Sequence, residues 1–318
     1  GTANLVAARA HKNKTEFTVC RDAFFTVSKN PYNVKLLEQQ GIDYILIGDE
    51  VHIVGDGAMH IAKAYNKPTR RPMSKGVLSP KERQATPMLK ELMKVVLGGQ
   101  GKNELCVYSV PAPPMDEDID IIYHEAAANS MLADLGYRGK SMNEALALAY
   151  SELSDADQMT GLTMSCGGGQ FNICLAMYGE PILTFSIARA GDWIDQSVAR
   201  ALDLSTSAVQ SKKEAGTDLL NPADDFSKAI SIYYSSLLDY IVSNIANRLS
   251  GDIAKQFTDP VKVVVGGGTS LAGNFIPMLT SMLAKASFPL SLKEVVHAKD
   301  PFNAVANGCL IQAQLIEE

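Results

Sequence analysis

The stretch Met164-Ser165-Cys166-Gly167-Gly168-Gly169-Gln170-Phe171-Asn172-Ile173, near the middle of the chain, runs from one apolar segment into another through three glycines. This pattern predicts a β-hairpin with a turn too tight for side chains. Consecutive glycines cost backbone entropy on folding, so we expect them where a ligand approaches the backbone closely. Successive amide N–H groups in such a turn form an anion-binding concavity, which suits a phosphate. An ordinary glycine-rich hairpin is the alternative interpretation.

Two further glycine-centred elements lie far from this hairpin in the sequence. The chain opens with Gly1-Thr2-Ala3-Asn4-Leu5-Val6-Ala7-Ala8, a glycine turn that leads into an apolar strand. Near the C-terminus, Val263-Val264-Val265-Gly266-Gly267-Gly268-Thr269-Ser270-Leu271-Ala272-Gly273 is typical of a buried strand followed by a second triple-glycine turn and a helix. Together these elements indicate a nucleotide held in a cleft between duplicated domains.

The composition is that of an ordinary folded protein. The 318 residues are 46% hydrophobic, which is enough for roughly two domain cores. A net charge of −6 without a lysine or arginine block argues against direct nucleic-acid binding. No apolar run approaches the roughly 20 residues of a membrane-spanning helix. We therefore expect a cytoplasmic protein that meets a membrane only if an upstream segment supplies an anchor. The scattered cysteines are typical of reduced thiols: Cys20, Cys106, Cys166, Cys174 and Cys309.

The first half begins with three short apolar segments that predict an antiparallel meander: the opening strand, residues 16–20 and residues 23–27. Residues from about 28 to 75 interrupt this series of short strands with a hairpin and a short helix, which predicts a small insertion subdomain. Its histidines, His52 and His60, lack a set of acidic partners. We interpret them as structural or exposed and predict no metal ligands there.

The middle and the second half repeat this organisation. An alanine-rich helix over residues 142–150 has the small side chains that let backbones approach closely, and the polar break that begins at residue 155 predicts the domain boundary. After the central hairpin come a strand, a helix, a polar excursion at about 204–226 and a long amphipathic helix over 225–249. A terminal helix is predicted from Asp300, with that residue as N-cap and Pro301 at its first position.

With these elements in order, the chain resembles the actin, sugar-kinase and heat-shock ATPase superfamily, and within it the bacterial actins of the MreB type. Each motif alone is a weak signal, but their order and spacing over nearly the whole chain are specific. The matching segments are the first phosphate motif (1–4, with its preceding strand and aspartate upstream of Gly1), the return from the small subdomain (71–77), the first connecting helix (143–147), the second phosphate motif (165–172), the adenosine motif (265–273) and the second connecting helix (300–308).

The resemblance implies an α/β protein with a duplicated actin-like ATPase fold. Two domains, each with a five-stranded mixed sheet flanked by helices, would enclose a nucleotide cleft. Domain I would span residues 1–155, with the small subdomain at about 28–75 and the C-terminal helix 300–318 packing back onto it. Domain II would span residues 156–299, with a reduced small subdomain at about 204–226.

The resemblance also implies ATP or ADP with Mg²⁺ in that cleft. Glu144 lies where the family keeps a residue that orients the attacking water, a role suited to a carboxylate; a surface helix residue is the alternative. The nucleotide would contact the two phosphate motifs and the adenosine side of the second half: Gly1, Thr2, Ala3, Asn4, Gly167, Gly168, Gly169, Gln170, Gly191, Asp192, Lys212, Glu214, Gly266, Gly267, Gly268 and Thr269.

Three positions depart from the family's second phosphate motif. Ser165 stands where an aspartate helps to position Mg²⁺ and the attacking water, Gln170 stands in place of a threonine, and Asn172 in place of a later aspartate. Loss of a carboxylate beside a divalent cation removes a large favourable charge interaction. We therefore predict nucleotide binding with slow or absent hydrolysis, and name Glu144 and Ser165 as the catalytic candidates.

Three functions of different classes follow from the resemblance. The first is a cytoskeletal protein that assembles into filaments, with itself as the main partner beside adaptor or cargo proteins. The second is a non-polymerising, ATP-binding scaffold or adaptor like FtsA or PilM, which Ser165 and the short second subdomain favour. The third is a phosphotransferase of the sugar-kinase or acetate-kinase kind. It would need a catalytic base beside a second substrate site, and the sequence indicates none.

Overall fold

Residues 1–153 form small sheets and helices in the computed structural model, which describes residues 1–12, 14–153, 157–249, 251–286 and 288–318. The strands are β1 (Asn4–His11), β2 (Lys14–Arg21), β3 (Phe24–Ser28), β4 (Tyr44–Ile47), β5 (Glu50–Val54), β6 (Met73–Ser74), β7 (Val77–Leu78), β8 (Leu105–Val110) and β9 (Arg138–Asn143). The helices are α1 (Pro31–Gln40), α2 (Gly55–Ala64), α3 (Ala85–Val96), α4 (Ile121–Asp134) and α5 (Glu144–Glu152).

The strands of the second half all belong to one larger sheet. Its strands are β10 (Gly161–Cys166), β11 (Phe171–Met177), β12 (Glu180–Ile187), β13 (Val261–Gly266) and β14 (Leu292–His297). Its helices are α6 (Gly191–Leu202), α7 (Thr206–Glu214), α8 (Asp225–Arg248), α9 (Asp252–Lys255), α10 (Phe275–Lys285) and α11 (Ala304–Glu317), with a 3₁₀ turn at Gly268–Leu271. The polar excursion predicted at about 204–226 therefore contains one helix, α7.

A five-stranded mixed sheet organises the second half, in the order β12-β11-β10-β13-β14. β10 lies at its centre, antiparallel to β11 and parallel to β13, and its residues are all buried. Ser165 pairs with Asn172 across the hairpin. Apolar side chains of this sheet pack with α6, α8 and α10 in one continuous core. The predicted central hairpin and a five-stranded sheet are confirmed.

The strands of the first half pair differently from the prediction. β1 and β2 form an antiparallel pair and β8 and β9 a separate parallel pair, while β3 joins β5 and β4 in a three-stranded sheet. The predicted three-stranded meander is wrong, and no five-stranded sheet forms in the described part of residues 1–153. The chain leaves β2 at a turn where Asp22 N–H donates to Ala3 O (3.1 Å) and Gly55 N–H to Ala23 O (2.8 Å). Phe25 then packs into a separate apolar core beside Ile53.

Helices α5 and α11 pack against each other near the centre of the molecule. Gly308 makes this approach feasible, because a Cβ at that position would lie 1.7 Å from Ala147 O. Both helices begin later than predicted. Residues up to Asn143 pair with β8 instead. Asp300 is not the N-cap of α11: it lies in the turn before the helix, where its carboxylate accepts a bond from Asn303 N–H (3.3 Å), and Asn303 holds the N-cap position without a side-chain capping bond.

The remaining expectations concern single groups and the boundary. The predicted domain boundary at residues 155/156 lies outside the described residues. His52 is buried with its Nδ1 2.9 Å from Thr26 Oγ1, and His60 is exposed. The five cysteines carry free thiols. Among the described helices, none is both long and apolar enough to cross a membrane.

Candidate functional site

A cavity of about 520 Å³ lies where the glycine turns of the two halves meet. Its volume falls within the roughly 300–1,000 Å³ of typical small-molecule sites. Most of the predicted site residues line it: Gly1, Thr2, Ala3, Asn4, Glu144, Gly167, Gly168, Gly169, Gln170, Asp192, Glu214, Gly268 and Thr269.

The other predicted site residues lie outside this cavity wall. Ser165 and Gly267 line a neighbouring groove. Gly191 contacts the wall through one hydrogen bond, in which its N–H donates to Gly167 O at 3.3 Å. Gly266 ends β13 and is buried against α5. Lys212 points away, with its Nζ 5.0 Å from the Phe226 ring centroid.

The central glycine turn is closed by its own backbone and held from α6. Gly167 N–H donates to Gln170 O at 3.1 Å, and Asp192 N–H donates to Gly168 O at 2.8 Å. A Cβ at Gly169 would lie 2.2 Å from Thr2 Oγ1, so this position requires glycine. Within the described part of the chain, no acceptor takes a hydrogen bond from the amides of Gly168 or Gly169. These amides are the donors that an anion-binding turn needs.

The segment at Lys75 and Gly76 joins both glycine turns. Gly76 N–H donates to Thr2 Oγ1 at 2.8 Å, and Gln170 Nε2 donates to Lys75 O at 2.7 Å. The other amide atom of Gln170, its Oε1, is buried and has no partner among the described residues. A buried amide oxygen without a partner is costly, so Gln170 offers an acceptor at the cavity wall.

Glu144 and Ser165 form a direct pair at the end of the cavity. Glu144 opens α5 after the N-cap Asn143, and Ser165 lies near the end of β10. Ser165 Oγ donates to Glu144 Oε1 at 2.6 Å. Burial raises the pKa of the Glu144 carboxyl, and the Ser165 hydrogen bond opposes that shift. The two predicted catalytic candidates are therefore in contact, with a serine where a second carboxylate would create like-charge repulsion.

Lys213, which the sequence analysis missed, occupies the place expected for Lys212. Its Nζ donates to Asp195 Oδ2 at 2.9 Å and to Gly191 O at 3.2 Å, and it lines the cavity. Burial raises the pKa of Asp195 to about 6 in spite of this lysine. Adjacent lysines on a helix point about 100° apart, and only the packing of α7 decides which of them faces inward.

Two arginines connect segments from the two halves across the cavity. Arg71 Nη1 lies 3.0 Å from both carboxylate oxygens of Asp192, and its Nη2 donates to Gln210 Oε1 at 3.1 Å. Arg21 Nη2 lies 2.9 Å from Glu214 Oε2. The sequence analysis did not assign either arginine to the site. No local pattern marks them, because their partners lie more than a hundred residues away in the chain.

The chain is similar to one protein family and to several solved structures over nearly its whole length. The Volactin family model matches residues 1–313. Among solved structures, the MamK double helical filament superposes with a TM-score of 0.73 at 17% identity, covering 99% of each chain. MreB 5 of Spiroplasma citri bound to AMPPNP gives a TM-score of 0.68 at 13% identity, covering 100% of this chain and 98% of that one.

A more distant structure is EutJ from Carboxydothermus hydrogenoformans, an ethanolamine utilization protein. It has a TM-score of 0.55 at 14% identity and covers 98% of this chain and 87% of that one. None of the curated proteins compared with the chain matches it. At these identities the structural matches establish the fold, and the family model establishes the relationship. The chain belongs to the Volactin family and has the actin-like ATPase fold.

Proposed function

We propose that this protein binds ATP or ADP in the cavity and assembles into filaments, with slow ATP hydrolysis. The observation that carries the nucleotide part is the meeting of both glycine turns at one cavity, with the free amides of Gly168 and Gly169 beside it. Solved relatives support it: MreB5 of Spiroplasma citri is bound to ADP in one structure, and a MamK mutant is bound to AMPPNP.

The residues around the cavity divide the proposed site into two ends. The turns at Gly1–Ala3 and Gly167–Gly169 would hold the phosphates through backbone amides, which suits an anion. Lys213 adds a cation on the same wall. Gly268 and Thr269 would border the base, where the Thr269 hydroxyl already donates to Gly167 O at 2.7 Å.

Magnesium would bind together with the nucleotide and would not occupy a separate site made of protein ligands alone. Mg²⁺ is usually held by one or two carboxylates together with phosphates and water. No cluster of three or more histidine, cysteine or acidic side chains occurs in the described ranges. Two carboxylates lie beside the glycine turn: Glu144 Oε1 is 3.9 Å from the position of a Cβ on Gly167, and Asp192 Oδ1 is 3.6 Å from the position of a Cβ on Gly168. When bound, Mg²⁺ would neutralise phosphate charge at this end of the cavity.

Slow hydrolysis follows from the Ser165–Glu144 pair. Glu144 is the candidate base that would orient the attacking water, and Ser165 occupies one of its oxygens at 2.6 Å. Because burial raises its pKa, Glu144 resists ionisation until a cation or a polarised water compensates. The neutral hydroxyl of Ser165 cannot supply the negative charge of an aspartate beside Mg²⁺.

Assembly into filaments is tested by pelleting and negative-stain electron microscopy with ATP, with ADP and without nucleotide. We expect filaments with ATP, in keeping with a fold shared with the MamK double helical filament. The control is Gly169→Ala, whose methyl group would meet Thr2 Oγ1 at 2.2 Å and close the phosphate turn. Monomers under every condition would contradict the filament proposal.

The adaptor function remains the second candidate. Two observations favour it: Ser165 in the second phosphate motif, and the single helix α7 in the 204–226 segment. A non-polymerising adaptor would bind nucleotide with wild-type affinity in an equilibrium assay while it stays monomeric in the pelleting assay. The combination of the two measurements therefore separates the two functions.

A further inference from the structure

The two acidic side chains near the start of α6 are both paired with cations. Asp192 and Asp195 line the proposed nucleotide cavity. Lys213 Nζ lies 2.8 Å from Asp195 Oδ1, and Arg71 Nη1 lies 3.0 Å from both carboxylate oxygens of Asp192. The two cations differ in origin, because Lys213 belongs to the same half of the molecule as α6, whereas Arg71 belongs to the other half.

Asp192 lies directly beside the second glycine turn. Its N–H donates to Gly168 O at 2.8 Å, and its Oδ1 lies 3.6 Å from the position of a Cβ on Gly168. The amide of Gly168 is one of the donors for the proposed phosphate. A carboxylate this close to the turn would repel a bound phosphate, because like charges a few ångströms apart interact strongly where water is partly excluded. The turn therefore holds an anion well only when the charge of Asp192 is compensated.

Arg71 supplies this compensation from behind the cavity wall. Asp192 and Gln210 line the cavity, whereas Arg71 is not among the described residues that line it. The guanidinium is held in place from the other side, where its Nη2 donates to Gln210 Oε1 at 3.1 Å. Burial opposes the charge of Arg71, but Asp192 keeps the pKa of Arg71 above its ordinary value. The guanidinium therefore stays charged, and it acts on a bound anion through Asp192.

We propose that Arg71 is a positioning residue of the nucleotide site, which neutralises Asp192 and so prepares the second glycine turn for phosphate. This role rests on the nucleotide binding proposed above, and it goes further by assigning a function to a residue outside the cavity wall. It also leaves Glu144 as the carboxylate available to Mg²⁺, because both oxygens of Asp192 face the guanidinium.

The origin of Arg71 in the first half couples phosphate binding to closure of the cleft. Arg71 lies just before β6, and Asp192 lies in the first turn of α6. When the two halves separate, Asp192 loses its cation and its negative charge faces the glycine turn. The closed arrangement therefore binds phosphate more tightly than the open one, and by reciprocity a bound nucleotide favours the closed arrangement. Lys213 provides no such coupling, because it shares a half with Asp195.

Equilibrium titration of a fluorescent ATP analogue, in a buffer that contains Mg²⁺, tests this role on wild type, Arg71→Gln, Asp192→Asn and the double variant. Arg71→Gln should bind the analogue about tenfold more weakly, because the charge of Asp192 is then uncompensated. Asp192→Asn should bind it more tightly than wild type, because Arg71 then adds an unpaired positive charge near the phosphates. The double variant should bind within about threefold of wild type. A residue that only supports the fold would not be rescued by removal of a second charge.

Two further variants serve as controls. Arg71→Lys keeps the positive charge and should recover most of the affinity that Arg71→Gln loses. Arg70→Gln removes the neighbouring arginine, which pairs with Glu82 and lies over the Phe24 ring within the first half, and it should bind the analogue like wild type. Circular dichroism and Tm show which variants are folded. If Arg71→Gln does not fold, the direction of the change in Asp192→Asn decides the question.

The outcomes separate this role from the proposed function. Weak binding that persists in the double variant would make Arg71 a direct ligand or a structural support. Weaker binding by Asp192→Asn would make Asp192 a ligand of the nucleotide or of Mg²⁺. Either result, or wild-type affinity of Arg71→Gln, would overturn the role of Arg71 while the nucleotide site stands. Absence of binding in wild type and in every variant would instead contradict the nucleotide site, and the role of Arg71 with it.

Discussion

Single contacts at the end of the cavity set the chemistry proposed for this protein. Ser165 Oγ and Glu144 Oε1 are 2.6 Å apart, close enough that the side chain at residue 165 controls the charge around the candidate base. A carboxylate at this position would place like charges in contact, and a cation would be needed to hold both ionised. The serine avoids that requirement, and we expect the protein to remain stable without Mg²⁺ while hydrolysing ATP slowly.

Ser165→Asp should accelerate Mg²⁺-dependent phosphate release by about tenfold or more, because it restores a carboxylate beside the metal. It should also lower Tm when Mg²⁺ is withheld. Ser165→Asn is the matched control, because asparagine has the size of aspartate but carries no charge. Glu144→Ala should abolish the residual turnover. Robust turnover by the wild-type protein would contradict our interpretation of Ser165.

Lys213 and Lys212 provide a matched pair of neighbours. Lys213→Gln removes the cation on the cavity wall but keeps a donor for Asp195, and Lys212→Gln makes the same chemical change where the side chain lies over Phe226. We expect about tenfold weaker ATP binding for Lys213→Gln, the size of a lost charge-assisted contact. Equilibrium titration with a fluorescent analogue measures it. Equal affinities of the two variants for the analogue would contradict the assignment of Lys213 to the nucleotide site.

Asp22 is a buried carboxyl that should make stability depend on pH. It is 1% exposed, and its Oδ2 accepts from Met73 N–H at 3.2 Å. Burial raises the pKa of Asp22 to about 7. The folded state therefore keeps a proton that the unfolded state releases at a pH of about 4. Stability should fall as pH rises from about 4 to about 7, and level off above that range.

Asp22→Asn should remove this dependence, because the amide oxygen still accepts from Met73 while the charge is absent. Relative to wild type, the variant should gain stability on the order of a few kcal/mol at a pH of about 8 and little at a pH of about 4. Urea unfolding at both pH values measures the difference. Asp49→Asn, at an exposed position, is the control, and equal pH profiles for wild type and Asp22→Asn would refute the assignment.

At the scale of elements, the close crossing of α5 and α11 joins the candidate site to the core. α5 carries Glu144 at its first position, and α11 packs on α5, β1 and β8. A shift of either helix would therefore move the Glu144 carboxylate relative to the glycine turn. The small residues at this crossing are what permit the present separation.

Gly308→Ala should push the two helices apart, since its Cβ would lie 1.7 Å from Ala147 O. Overpacking of this kind costs about 1–3 kcal/mol, more than the helix-propensity gain of alanine. Urea unfolding measures the loss, with Gln314→Ala on the exposed side of α11 as a control. A Gly308→Ala protein as stable as wild type would show that α5 and α11 accommodate the added methyl group without moving apart.

At the scale of the whole molecule, ion pairs join the two halves around the cavity. Arg71 reaches Asp192 and Gln210, and Arg21 reaches Glu214, each from the first half to the second. Partly exposed pairs contribute little stability individually, but their positions make them sensitive to closure of the cleft. A nucleotide that draws the glycine turns together would strengthen them, which is how we propose that binding biases assembly.

The sequence by itself determined those features that depend on local pattern. The glycine runs at 167–169 and 266–268 and the apolar strands beside them were enough to predict the central hairpin, and the resemblance of the ordered motifs to the actin superfamily implied a five-stranded sheet and an actin-like fold. Glycine spacing and strand alternation are consequences of backbone sterics, so they can be recognised without knowledge of distant contacts.

Only the tertiary structure decided how distant segments meet. In the folded chain, β3 pairs with β5, and Lys213 rather than Lys212 faces the cavity. Arg21 and Arg71 lie at the cleft, and a groove separates β1 from β8. Each outcome depends on the packing of segments far apart in the chain, and a local pattern carries no information about such a partner. The triple-glycine hairpin could be predicted from its residues, whereas the Ser165–Glu144 contact beside it required the fold.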